Sequence, residues 1–202
     1  MSSSLSVNIL VEGDLDEAVL KKVLDLVGIE VTNVYGRRGK NYLKENVGRF
    51  NQAARHGKWV LLVDLNKDAE CPPPLIATWL PTQHPNLQFR VAVRAIEAWL
   101  LAERDEMARF LAVSPQRIPL QPEDEERPKN TLIDLARYSR NRSIRGDIVP
   151  PIGSTASQGK LYTSRLIEFA LRHWNPERAA ANSPSLRRSL DSLLRWKSGV
   201  SR

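Results

Sequence analysis

VNILVEGDLD, residues Val7 to Asp16, decides how the rest of the chain is read. Val7 to Val11 is an apolar run, the pattern of a strand covered on both faces. It ends in Glu12, Gly13, Asp14 and Asp16, so a buried strand hands over to carboxylates at its C-terminal end. Outward from there, Leu15, Val19, Leu20, Val23, Leu24 and Val27 fall at helical spacing, and Gly28 is a good stop. Val31 to Tyr35 reads as a second strand, followed by the basic turn Gly36 to Lys40 and a helix over roughly 42–55. Trp59 to Val63 (WVLLV) is a third buried strand, and it too runs into acid: Asp64-Leu65-Asn66-Lys67-Asp68. Pro72 to Pro74 opens a short helix, and Gln88 to Val93 makes a fourth strand. Strands alternating with helices at this spacing imply right-handed βαβ crossovers, hence an α/β fold on a four-stranded, mainly parallel sheet.

Beyond the fourth strand the pattern turns helical. Ile96 to Ala112 reads as a helical hairpin or one bent helix, and Leu120 to Lys129 as an acidic loop. Helices are expected over 131–138, 162–173 and 186–196, with a Pro-, Gly- and Ser-rich loop at 148–159. The chain therefore divides into an α/β core, 1–112, and a basic helical extension, 113–202, packed on it. Charge is uneven along the chain as well. Residues 1–127 hold 16 basic and 18 acidic side chains, and 128–202 hold 14 basic and 5 acidic, so the net +7 sits in the second part. Such a basic part suits a polyanion such as DNA or RNA, or an acidic partner. A well-solvated helical surface is the plain alternative.

Several classes fall away. The apolar runs are a handful of residues long, far short of a membrane span. Residues 1–6 lack the basic start and apolar stretch of a signal peptide. Cys71 is alone, so neither a disulfide framework nor a cysteine metal cluster is expected, and the chain reads as cytoplasmic. Gly36-Arg37-Arg38-Gly39-Lys40 lacks the spacing and the Ser or Thr of a Walker A loop. A phosphate-transfer fold of the HAD type needs an aspartate where Glu12 stands.

In a parallel sheet, ligands gather outside the carboxyl ends of the strands. Glu12 and Asp16 follow the first strand, Asp64, Asn66 and Asp68 the third, and Glu97 the fourth, which also carries Arg90 and Arg94. Alternation puts Asp64, Asn66 and Asp68 on one face. Convergent carboxylates repel unless a cation neutralises them, and a set of hard oxygen donors favours Mg²⁺ or Mn²⁺ over zinc. Taken singly, Asp16 reads equally as a helix-start carboxylate and Asp64 as the start of a loop.

At these residues the sequence resembles the TOPRIM domain of topoisomerases, primases and small nucleases. The likeness rests on Val11-Glu12-Gly13 after the first strand and Asp64-Leu65-Asn66 after the third. It covers about residues 6–110. The OLD-type branch (overcoming lysogenization defect) is more similar, because Asp16 and Glu97 match its further acidic positions. Its downstream lysine near a helix start corresponds best to Lys160 in Gln158-Gly159-Lys160-Leu161. Ala95 to Ala102 and Pro128-Lys129 are similar to a small bacterial TOPRIM-like family often encoded beside ABC-type ATPases, with a suspected role in phage defence. The chain departs from the pattern at Asn66, where the family has its second aspartate.

The resemblance implies a Mg²⁺- or Mn²⁺-dependent nuclease acting on DNA or RNA. Glu12, Asp16, Asp64 and Glu97 would hold the ion with Asn66 or Asp68. Lys160 would meet the phosphate. Arg37, Arg38 and Lys40 on the turn after the second strand, and Arg137, Arg140 and Arg142 beside Tyr138, are the expected contacts to nucleic acid. A non-enzymatic module that docks an ABC-type ATPase, its site silenced by Asn66, is the competing expectation.

Overall fold

The structure, a computed structural model, describes residues 5–199. Four strands, β1 (Leu5–Val11), β2 (Ile29–Gly36), β3 (Trp59–Asp64) and β4 (Leu87–Ala92), form one sheet in the order β2-β1-β3-β4, every neighbouring pair parallel. Burial explains the order. Trp59 to Val63 of β3 are all buried and lie inside the sheet, whereas β2 beyond Ile29 holds only exposed and part-buried residues and takes an edge. The crossovers are α1 (Asp14–Leu26), α2 (Gly39–Ala53) and α3 (Pro72–Trp79). Because β2 lies on one side of β1 and β3 on the other, the winding reverses between β1 and β3. A crevice opens at such a reversal, outside the carboxyl ends of the two strands.

The rest of the chain is α4 (Ile96–Leu101), α5 (Arg104–Leu111), α6 (Pro128–Arg137), α7 (Arg142–Ile148), α8 (Tyr162–Arg172), α9 (Pro176–Ala179) and α10 (Pro184–Ser198). One apolar cluster joins Val7, Ile9, Val19 and Leu62 of the sheet side to Trp99, Leu132, Ile144, Phe169 and Leu186 of the helical part. The opposite face of the sheet is filled by Leu10, Leu43, Leu61, Leu75 and Phe89. With both faces covered, the continuous apolar strands are accounted for.

The break expected within 96–112 is present, and two short helices, α7 and α9, add to the pattern read in the sequence. The stretch 96–112 breaks after α4, where the buried Glu103 accepts from Arg178 Nε (2.6 Å) and from the Asn175 backbone N–H. Helix α7 arises inside an arginine-rich stretch, its N-terminus capped by Asn141 Oδ1, which accepts from Ser143 N (3.0 Å) and Ile144 N (3.3 Å). Asn175 caps α9 in the same way. Among the described residues no helix is long and apolar enough to cross a membrane.

Candidate functional site

At the crevice between β1 and β3, Glu12 lies one residue past β1 and Asp64 is the last residue of β3. The Asp64 N–H donates to Glu12 Oε1 (2.9 Å), and Asp64 Oδ1 accepts from Ile96 N–H at the start of α4 (2.8 Å). Glu97 follows on that first turn and is 7% exposed; Asp16, on the first turn of α1, is 8% exposed. Four carboxylates from three strand ends therefore share one enclosed edge.

Their electrostatics report the crowding. Burial, then the Glu12 and Glu97 charges, push Asp16 up to about 7 against backbone N–H groups that pull it down. Burial, followed by Asp16, Glu97 and Glu12, drives Asp64 well above the ordinary carboxylate range. Glu12 is raised as well, chiefly by burial, with the Asp64 N–H and Lys40 opposing. Such a cluster binds protons, or another cation, more readily than separate carboxylates do.

Lys40 is the cation built into this edge. Its Nζ donates to the Asp64 backbone carbonyl and pairs with Asp68 Oδ2 (2.6 Å). Asp68 is thus engaged by Lys40, while its charge still adds to the repulsion at Glu12. Alternation also stops at Asp64. The chain turns there, Asn66 adopts φ 52°, its N–H donates to Arg94 O (2.7 Å), and its side chain is exposed. Asn tolerates this left-handed backbone better than most residues. The expected shared face of Asp64, Asn66 and Asp68 is not formed, because the strand ends before it.

Among the described residues, three of the four non-glycine positions with positive φ lie just past strands on this edge: Arg37 (59°) after β2, Asn66 (52°) after β3 and Arg94 (62°) after β4. Strained backbone concentrates where surrounding structure holds a functional geometry in place. At Gly36, φ is +94° and a Cβ would sit 2.3 Å from the Val11 carbonyl oxygen, so only glycine closes that turn against β1.

The helical part completes the edge through Tyr162, which the sequence reading had passed over. Its hydroxyl donates to Glu97 Oε1 (2.9 Å) while its ring is 2% exposed. Burial and the Glu97 charge push the phenol further up, so it remains the donor. Lys129 Nζ stands 5.2 Å from the centre of the same ring. Gly159 makes this approach possible: its N–H donates to Ile148 O (2.8 Å), and a Cβ would meet the Asp147 carbonyl oxygen at 2.2 Å. Lys160 follows directly and is exposed, two residues before the tyrosine that reaches Glu97.

The other expected contacts are distributed differently. Arg37 is paired with Asp14 and Glu17, and Arg38 lies 4.9 Å from the Tyr42 ring centre. Arg137 pairs with Asp134 (3.2 Å), while Arg140 and Arg142 are exposed beside it. Arg94 leaves a buried Nε without a hydrogen-bond partner, next to Asn66 on the carboxylate edge.

The donor chemistry fits a hard divalent cation: clustered carboxylate oxygens, desolvated and mutually repelling, with no sulfur or imidazole among them. As the side chains stand, no three His, Cys, Asp or Glu residues among the described residues form a closed ligand set. Glu12, Asp64 and Glu97 are each turned to a protein donor instead. No family model, curated protein or solved structure matches the chain.

Proposed function

We propose that this protein is a metal-dependent nuclease that hydrolyses phosphodiester bonds in DNA or RNA. The observation that carries the reading is the gathering of Glu12, Asp16, Asp64 and Glu97 at the sheet's reversal point, where burial and mutual repulsion raise the proton affinity of Glu12, Asp16 and Asp64. Glu12, Asp16, Asp64 and Glu97 would hold Mg²⁺ or Mn²⁺. A cation bound there supplies Lewis-acid activation of water and offsets charge on the phosphodiester.

The chain's own groups do the positioning. The Asp64 and Ile96 N–H groups fix the Glu12 and Asp64 carboxylates, and Tyr162 fixes Glu97. Lys40 ties the loop after β3 to the end of that strand, holding the crevice wall in place. Lys160, exposed two residues before Tyr162, would meet the scissile phosphate and offset its developing charge. Arg140 and Arg142 would track the backbone of the strand.

A second reading, a non-enzymatic module that docks an ABC-type ATPase, is favoured by Asn66 alone, which is exposed where an acidic ligand is expected. Incubating the full chain with plasmid, single-stranded DNA and tRNA separates the two. The nuclease reading expects cleavage in Mg²⁺ or Mn²⁺, none in EDTA, and none by Asp64→Asn; intact substrates under every condition favour the module.

A further inference from the structure

Away from the carboxylate edge, the outer side of β4 is covered by α10. Val93 N–H donates to Ser185 Oγ (3.2 Å), Ser192 Oγ to Gln88 Oε1 (3.2 Å), and Trp196 Nε1 to Pro85 O (3.0 Å), so the helix runs back along the strand. Covering an edge strand with a helix removes a site of unwanted strand pairing. The cover is incomplete. A cleft of about 400 Å³ remains between α3, β4 and α10, lined by Cys71, Arg90, Ser185, Arg188 and Ser189 among others. That volume lies within the range of roughly 300–1,000 Å³ usual for small-ligand sites.

The charges around this cleft are one-sided. Arg90 projects from the middle of β4, and its buried Nε has no hydrogen-bond partner. Burial, and then the charge of another cation, Arg195, push the guanidinium down to about 10. Arg188 also lines the cleft without an ion pair among the described residues. The Glu123 carboxylate at this helix start is taken up by Ser183 and Ser185. A part-buried guanidinium whose Nε lacks a partner is costly, and an arriving anion lowers the cost. Phosphate oxygens match the planar fork of arginine particularly well.

We propose that the cleft between β4 and α10 is a binding site for a phosphate group, held by Arg90 and Arg188 with the Ser189 hydroxyl as a further donor. The phosphate belongs either to a nucleic-acid strand or to a free phosphate compound, and the chemistry is the same for both. The site does not depend on the carboxylate edge, and its test is run in EDTA so that cleavage plays no part.

The full chain is titrated with inorganic phosphate at constant ionic strength, following ³¹P line width and melting temperature. A 5′-phosphorylated oligonucleotide and its unphosphorylated counterpart form the second arm. Expected is saturable phosphate binding that weakens about 10-fold or more in Arg188→Ala, an exposed position whose loss leaves the fold intact. Arg90→Met should lose phosphate binding and, without phosphate, melt no lower than wild type, since it removes an uncompensated part-buried charge. A preference for the 5′-phosphorylated strand assigns the site to nucleic acid; equal binding of both strands with retained phosphate binding assigns it to a free phosphate compound. Phosphate affinity unchanged in Arg188→Ala, or no saturable binding by the wild type, overturns the proposal, even if Arg90→Met does not fold.

Discussion

The Tyr162 hydroxyl donates a 2.9 Å hydrogen bond to the Glu97 carboxylate across 65 residues of sequence. This bond joins the helical part to the carboxylate edge. The tyrosine is placed by the loop that Gly159 presses onto the end of α7. Buried hydrogen bonds to a charged group are worth about 1.5–3 kcal/mol. Tyr162→Phe should therefore lower thermal stability measurably and, by freeing Glu97 to rotate, weaken Mn²⁺ binding about 10- to 100-fold. Calorimetric titration with Mn²⁺ checks this. Wild-type affinity in the variant would mean that Tyr162 serves packing alone.

The carboxylates also set a pH dependence. Asp16 binds its proton with a value near 7 in the folded chain against an ordinary 3.8. The folded state therefore holds protons that the unfolded state releases. Stability from this group is full below about pH 4 and is lost as pH rises through 7, on the order of a few kcal/mol in all. In EDTA the protein should melt higher at pH 5 than at pH 8, and Asp16→Asn should flatten that difference. A melting temperature that climbs from pH 5 to pH 8 in EDTA would count against the cluster.

Much of this was legible in the sequence, for a physical reason. Strands buried on both faces are largely apolar, so WVLLV, and VNILV with its single Asn8, announced themselves, and their acidic ends marked the edge. Glu12, Asp16, Asp64 and Glu97 were readable because they follow directly on strands or the first turns of helices. Tyr162 was not. Its partner lies on a distant helix, and an aromatic at helical spacing looks the same whether it fills a core or holds a carboxylate. Asp68 and Asn66 were misplaced because alternation was carried past the end of β3, where a turn with positive φ takes over. Lys40 was read as a phosphate contact on this edge; its bonds to the Asp64 carbonyl and Asp68 were not legible in the sequence.

Lys160 and Lys129 flank Tyr162 in different ways, one exposed before its helix and the other beside its ring. If Lys160 meets the phosphate, Lys160→Ala should reduce cleavage about 100-fold, the scale for losing one group that stabilises transition-state charge. Its melting temperature and Mn²⁺ affinity should stay at wild-type values. Cleavage at the full rate in Lys160→Ala, with a loss in Lys129→Ala instead, would move the role to Lys129.

Arg137 is already paired with Asp134, so Arg140 and Arg142 are the free charges of that cluster. Replacing all three by alanine should reduce the dependence of log affinity on log salt by about 2 rather than 3, at roughly 0.9 per phosphate contact. Fluorescence anisotropy with a labelled oligonucleotide across a salt series gives the slope. An unchanged slope assigns this charge to solubility or to a protein partner.

Calorimetric titration of the metal-free full chain with Mn²⁺ at pH 8 tests the carboxylate edge most directly. Glu12, Asp16, Asp64 and Glu97 acting together predict saturable Mn²⁺ binding that Glu12→Gln and Asp64→Asn each abolish while circular dichroism stays unchanged. Wild-type protein that takes up no Mn²⁺, or folded variants that bind it as well as the wild type, would contradict the assignment of these four carboxylates to a single cation site.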